Sequence, residues 1–177
     1  MAQFYKKQTA RSLVFKPQRK GEAAHNQYGK AEHHLVVCKE CHNVLFTKEW
    51  HRPGVQLSRQ IILARKKGVH FVLCPACTMK KNGSYEGEVT IENIPAAYEA
   101  ELINLIVNFG ARAETRDPQD RVIEIKKNKN GYRIVTTENE LAVRLAKKIH
   151  SAFKKVGVQI NYSREPYEVA RVKVIFC

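Results

Sequence analysis

The chain of 177 residues carries 31 Lys and Arg against 17 Asp and Glu, a formal net charge of +14 and a sequence pI near 9.7. Its hydrophobic fraction of 44% is ordinary for a globular protein, and no apolar run approaches the roughly 20 residues of a membrane-spanning helix. A surface of this sign attracts polyanions, because Lys and Arg release counterions when they neutralise phosphates.

The first fifteen residues, MAQFYKKQTARSLVF, lack the apolar stretch of a secretory signal. Residues 1–33 hold seven basic and two acidic residues, among them Lys6, Lys7, Arg11, Lys16, Arg19 and Lys20. Phe4, Tyr5, Phe15 and Tyr28 are scattered among them with no helical or strand period. Such a segment buries too little apolar surface to offset its ordering entropy, so it reads as a basic extended tail that orders only on a partner. Interleaved charges and rings suit an RNA groove, where phosphates meet the cations and bases stack on the aromatics.

Residues 34–87 form the cysteine unit. Cys38-x-x-Cys41 and Cys74-x-x-Cys77 each follow a short apolar run, LVV and FVL, and 32 residues separate the pairs. Two residues between cysteines let both thiolates of one turn face a single tetrahedral ion, and two such turns complete a closed site of four cysteines. A closed set has no open position for substrate, so the expected metal is one structural Zn2+ holding two hairpins together. A rubredoxin-like iron site uses the same ligands, and a redox C-x-x-C normally uses one pair in a thioredoxin-like setting. Five cysteines, four of them paired in this way, suit a reducing compartment, and the expected location is the cytoplasm. The glycine common after the second cysteine of such turns is replaced by His42 and Thr78. Between the pairs, LSRQIILARKKG reads as a short helix ending at Gly68, with Arg65, Lys66 and Lys67 in its last turn. With Lys39, His42, His51, Arg52, Lys80 and Lys81 these residues make a basic surround for the site, suited to phosphate contacts. Trp50, the single tryptophan, either stacks on a base or packs beneath the metal site as core.

Residues 88–177 read as an α+β domain. GEVTIEN alternates as a strand, Pro95 opens a helix with Tyr98, Leu102, Ile103, Ile106, Phe109 and Ala113 on one stripe, and RVIEIKK with GYRIVTT form a hairpin around Asn130-Gly131. Thr137 and Glu140 form a capping box for a helix whose Leu141, Leu145, Ile149 and Phe153 recur every four residues. GVQINYS and VARVKVIF follow as strands paired around Arg164-Glu165-Pro166. The order β-α-β-β-α-β is that of a ferredoxin-like split βαβ unit with one extra strand. The expected fold class is therefore α+β: a four-cysteine zinc ribbon followed by a ferredoxin-like domain, with a basic tail in front.

No P-loop, GxGxxG, GxSxG or HExxH is present. Asp117 and Asp120 fall in a run, DPQD, that reads as a solvated turn, so the expectation is a protein without enzymatic activity.

VVCKECHNVLFTKEW and LCPACTMKKNGSYEGEVTI resemble small bacterial zinc-ribbon proteins and the N-terminal zinc-binding part of the archaeal and eukaryotic large-subunit export adaptors (the Nmd-type family). In that family a C-x-x-C turn is likewise followed within about ten residues by a tryptophan, and GYRIVTTENELAVRLAKKIHSAFKK is similar to its strand and amphipathic helix. The likeness spans roughly residues 36–160, with only the cysteine motifs specific, and carries over Cys38, Cys41, Cys74, Cys77 and Trp50. The adaptor's large C-terminal portion has no counterpart, and nuclear export does not follow. The resemblance implies binding to the 23S rRNA of the large ribosomal subunit, across the intersubunit face and the tRNA sites. It suggests a hibernation or anti-association factor, with a large-subunit assembly factor close behind; a DNA-binding transcriptional zinc ribbon and a protein-interaction module are alternatives of other classes.

Overall fold

The computed structural model describes residues 16–17, 35–46, 48–54, 68–163 and 168–177. The helix expected over LSRQIILARKKG, apart from Gly68, and the turn at Arg164-Glu165-Pro166 lie outside the described residues, as does all of the tail but one pair. Against the expectation of a tail without regular structure, Lys16–Pro17 forms a short strand, β1, parallel to β6 at Ser84–Tyr85.

The described elements are three helices and three sheets, mixed α+β throughout. The N-terminal sheet has the order β4-β3-β2-β5, built from β2 (Leu35–Cys38), β3 (Val44–Phe46), β4 (Glu49–His51) and β5 (Val69–Val72). β2 and β3 form an antiparallel hairpin, whereas β5 lies parallel to β2 with Cys38 opposite Val72. Helix α1 (Pro75–Asn82) follows, with Pro75 in its first turn and Gly83 at φ 67° closing it in the left-handed conformation. The second cysteine pair therefore sits on a strand-to-helix turn and not on the expected hairpin.

The C-terminal sheet has the order β10-β11-β7-β9-β8. Its strands are β7 (Gly87–Glu92), β8 (Val122–Asn128), β9 (Gly131–Thr136), β10 (Val156–Ser163) and β11 (Val169–Phe176), and α2 (Glu99–Arg116) and α3 (Asn139–Ala152) connect them. The boundary expected after residue 87 falls one residue inside β7. Alternation in β7 buries Val89 and Ile91, and the four-residue stripe on α3 buries Leu141, Leu145 and Ile149 with Ala142 and Ala146 beside it. Together with Leu102 and Ile106 of α2 and Ile134, Val172 and Val174 of the sheet, most of these side chains make one contiguous core. The last strand, β11, lies between β10 and β7, antiparallel to the first and parallel to the second.

Three local expectations need correction. Pro95 precedes a 3-10 turn, Ala96–Tyr98, before α2 begins at Glu99, and Tyr98 stays 42% exposed with its ring against Phe153. The hairpin turns one residue early, because Asn128 pairs with Gly131 and leaves Lys129-Asn130 as the two-residue loop. The capping box does not form: the helix starts one residue later than the motif requires, with Glu138 at the N-cap and no side-chain cap bond. Thr137 is buried, and its hydroxyl instead accepts from the Arg121 N–H at 2.8 Å and donates to the Gln119 carbonyl at 2.6 Å. A buried hydroxyl goes where unmet backbone groups are, and the loop before β8 supplied two.

Candidate metal centre

Parallel pairing of β2 and β5 puts the ends of both strands at the same edge, so each cysteine turn emerges beside the other. Cys38 ends β2, Cys41 follows in the turn, Cys74 caps α1 and Cys77 lies in its first turn. Their four Sγ atoms all lie within 4.8 Å of one another, with Cys41 and Cys74 3.7 Å apart. Thiolates on a tetrahedral zinc with bonds of about 2.3 Å sit roughly 3.8 Å apart, and a disulfide would need about 2.05 Å. All four are free thiols, three buried and Cys41 half-buried. The spacing fits one ion among four sulfurs.

Backbone amides already point at these sulfurs. Cys74 N–H donates to Cys38 Sγ at 3.3 Å, and Cys77 N–H to Cys74 Sγ at 3.4 Å. Hydrogen bonds from the Cys74 and Cys77 side chains hold Cys41 well below the usual thiol range, and the hydrogen bond with Cys41 pushes Cys74 up to about 11. Cys41, Cys74 and Cys77 thus compete for protons in a space that one cation would fill, and binding it would release protons.

The first turn also explains the missing glycine. His42 adopts φ 61°, the left-handed conformation a glycine accepts without strain, while Thr78 lies within α1 and needs none. His42→Gly is expected to raise stability by about 0.5–1 kcal/mol; urea denaturation of the metal-loaded protein checks this, and a loss of stability would show that the imidazole has a structural partner in solution.

One residue in contact with the site has no signal in the cysteine pattern. Arg121, in the loop after α2, donates from Nη1 to Cys77 Sγ at 3.4 Å and from Nε to the Pro118 carbonyl at 2.8 Å. Burial disfavours its charge, but the Cys41, Cys77 and Cys74 sulfurs hold it protonated all the same. Gln119 from the same loop accepts the Ala76 N–H at 3.1 Å, and Glu114 of α2 lies 3.7 Å from Arg121 and 3.6 Å from Arg52. The run Asp117–Asp120 is a turn with Asp117 exposed, as expected, but it is only partly solvated. Pro118 is buried, Asp120 pairs with Arg144, and the loop packs against the metal site. An Arg three residues beyond Pro118 gives no pattern of its own, so only the folded chain shows the link.

The remaining candidates divide by exposure. Lys39, His42, Lys80 and Lys81 are exposed around the site. Arg52 is exposed with Glu114 beside it, and His51 is half-buried with Nε2 3.9 Å from Glu49. Trp50 is core: it is 8% exposed and packs with Val36, Cys38, Cys74, Ala76 and Cys77. Stacking on a base would require that cluster to open, so Trp50 leaves the set of RNA contacts. Lys6, Lys7, Arg11, Arg19, Lys20, Arg65, Lys66 and Lys67 lie outside the described residues, and of Lys16 only the strand pairing is described. A cleft of about 840 Å3 lies between Lys48, His51 and Arg52 on one side and Thr115, Arg116 and Gln119 on the other.

No described helix is long and apolar enough to cross a membrane. No known protein-family pattern and no curated protein matches the chain.

Proposed function

We propose that the chain is a non-enzymatic zinc protein of the cytoplasm that binds structured RNA, and that its partner is the ribosome. Cys38, Cys41, Cys74 and Cys77 would hold one structural Zn2+, whose part is to fix the orientation of the two turns and of what they carry. The observation that carries RNA binding is the charge: +14 overall, with nine basic and four acidic residues over 34–90 and exposed Lys39, Lys80 and Lys81 around the sulfurs. Phosphate contacts of this kind fix orientation on an RNA without reading its sequence. Naming the ribosome rests on the resemblance of the cysteine segments to the export adaptors. The 23S rRNA at the intersubunit face and tRNA sites is the proposed target, and keeping ribosomes inactive is the proposed role. On the same reading the N-terminal half is a zinc ribbon and the C-terminal half a ferredoxin-like domain with its extra strand inserted in the sheet.

Affinity capture of the zinc-loaded chain followed by RNA sequencing is expected to enrich 23S rRNA. Its apparent affinity should fall by about 10³-fold or more between 50 and 200 mM salt if six or more phosphates are neutralised. Recovery of folded, zinc-loaded protein without rRNA would overturn the reading. Sedimentation separates the roles: an inactivating factor travels with mature subunits of starved cells, an assembly factor with precursor particles of growing cells.

A further inference from the structure

The C-terminal half is electrically polarised. Its strand register sets Gly87, Thr136, Val122 and Ala170 at one end of the sheet, and Glu92, Gly131, Asn128 and Ile175 at the other. Acids gather at the first end. Glu86, Glu138 and Glu168 border the strands there, and Asp117 and Asp120 lie in the loop before β8, with Arg121 and Arg144 among them. Lysines gather at the second. Lys129 lies in the loop between β8 and β9, and Lys154 and Lys155 lie between α3 and β10. Lys147 and Lys148 precede them on α3, on the side away from the buried Leu141, Leu145 and Ile149. All five are exposed, and none has an acidic partner among the described residues. Two acids of that end are already engaged, Glu92 with Lys173 and Glu99 with Lys127, which leaves the exposed Glu101.

Folding does not call for this arrangement. Residues 141–155 hold five Lys and Arg and no Asp or Glu. Arg144 repels Lys147 and Lys148 at three- and four-residue spacing. The helix dipole favours a cation in the last turn, a place His150 already takes. Lys155 holds φ 56°, a conformation that Gly or Asn adopts at less cost. The loop is nonetheless fixed, by Phe153 in the core and by the Cys177 N–H on the Lys155 carbonyl at 2.9 Å. Against Phe153 rests the ring of Tyr98, 42% exposed.

We infer that this end of the C-terminal half is a second RNA contact, where the five lysines meet backbone phosphates and Tyr98 stacks on an unpaired base. The inference rests on the RNA reading and adds a surface separate from the basic surround of the sulfurs. Arg121 ties the cysteine site to the acidic end, so the lysines lie across the length of β7, about 20 Å away. Their charge selects a polyanion, and the same field repels the acidic end, which sets the orientation. RNA is favoured over an anionic membrane, because the apolar stripe of α3 is buried in the core and cannot enter lipid.

Fluorescence anisotropy of the zinc-loaded full chain on a labelled RNA hairpin with an unpaired loop tests it. Lys147→Gln, Lys148→Gln, Lys154→Gln and Lys155→Gln together should weaken binding about a hundredfold near 0.1 M salt. They should also flatten the slope of log affinity against log salt by about 3 to 4. Should that variant misfold, Lys147→Gln with Lys148→Gln alone should flatten it by about 2. Arg112→Gln with Arg116→Gln removes as much charge toward the acidic end as that pair does and should leave the slope unchanged. Tyr98→Ala should weaken binding of the hairpin about tenfold and of a fully paired duplex not at all, with Tyr98→Phe like the parent. An unchanged slope in the lysine variants, an equal loss in the arginine pair, or full affinity in Tyr98→Ala overturns the inference while the RNA reading stands. A parent chain that ignores the hairpin overturns both, and one that binds phosphatidylserine vesicles instead points to a lipid surface.

Discussion

Stripping the ion from the four-cysteine site, or replacing Cys77 with Ser, should unfold the sheet β4-β3-β2-β5 and α1 while the sheet β10-β11-β7-β9-β8 persists. The N-terminal sheet has little else to hold it. Its buried cluster consists of Val36, Trp50 and Ala76 with the three cysteines Cys38, Cys74 and Cys77. A unit this small, with strands of three and four residues, needs a metal or disulfides to fold, and a structural zinc contributes about 10 kcal/mol or more to such a site. Without it, little ties the turn of Cys38 and Cys41 to that of Cys74 and Cys77 beyond their mutual hydrogen bonds. The C-terminal sheet owns a separate core running from Val89 to Phe176, untouched by the sulfurs. Amide hydrogen exchange is the suitable measurement. Protection in β2, β3, β5 and α1 should vanish on chelation, and protection in β7, β9, β11 and α3 should remain. Retained protection in β2 and β5 without metal would mean that the ion is not what organises this half.

Gly87→Ala should cost the C-terminal half about 3 kcal/mol or more, among the larger effects of adding a single methyl group. A Cβ at residue 87 would stand 2.2 Å from Thr136 Oγ1, 2.6 Å from Ala142 Cβ and 2.7 Å from the Glu138 carbonyl oxygen. None of these can yield cheaply. Gly87 is paired on both sides, with Thr136 in β9 and Ala170 in β11. Ala142 and the Glu138 carbonyl belong to the first turn of α3, so relief requires the whole helix end to rise from the sheet. For a chain of this size the thermal midpoint should fall by about 6–12 °C. Gly110→Ala is the internal comparison. There the new methyl meets only the Val122 side chain, at 2.9 Å from Cγ2, and a rotamer change can absorb much of it. Equal stability of Gly87→Ala and the parent would show that α3 does not press on β7 this closely.

Much of the architecture was legible from periodicity and spacing. Val89 and Ile91 alternate, Leu141, Leu145 and Ile149 recur every four residues, and both patterns report a local choice of which face is buried. The cysteine spacing reports the proximity of the four sulfurs in the same way. What escaped depends on partners distant in sequence. Thr137 matches a capping box by composition, yet its hydroxyl is drawn to the Gln119–Arg121 loop, which no local window includes. The position of β11 between β10 and β7 follows from competition among strands, and each strand alone reads the same wherever it docks. The helix after Cys74 was readable in principle, since Pro75 and Gly83 bracket it as start and stop signals, but the C-x-x-C spacing suggested a hairpin and outweighed them.

The place of β11 has a consequence for the order in which the protein can assemble as it is synthesised. Residues 169–176 are the last described strand in the chain, yet they occupy the position that joins β10 to β7 and bury Val172 and Val174 in the core. Until they emerge, β7 lacks a neighbour on one side and α3 has only part of its seat. The nascent chain must hold its apolar faces in a partly formed state, and closure comes late, through contacts that span some eighty residues from β7 to β11. Loops of that length close slowly relative to a hairpin, so the sheet β10-β11-β7-β9-β8 should close as a single cooperative event timed by the emergence of β11.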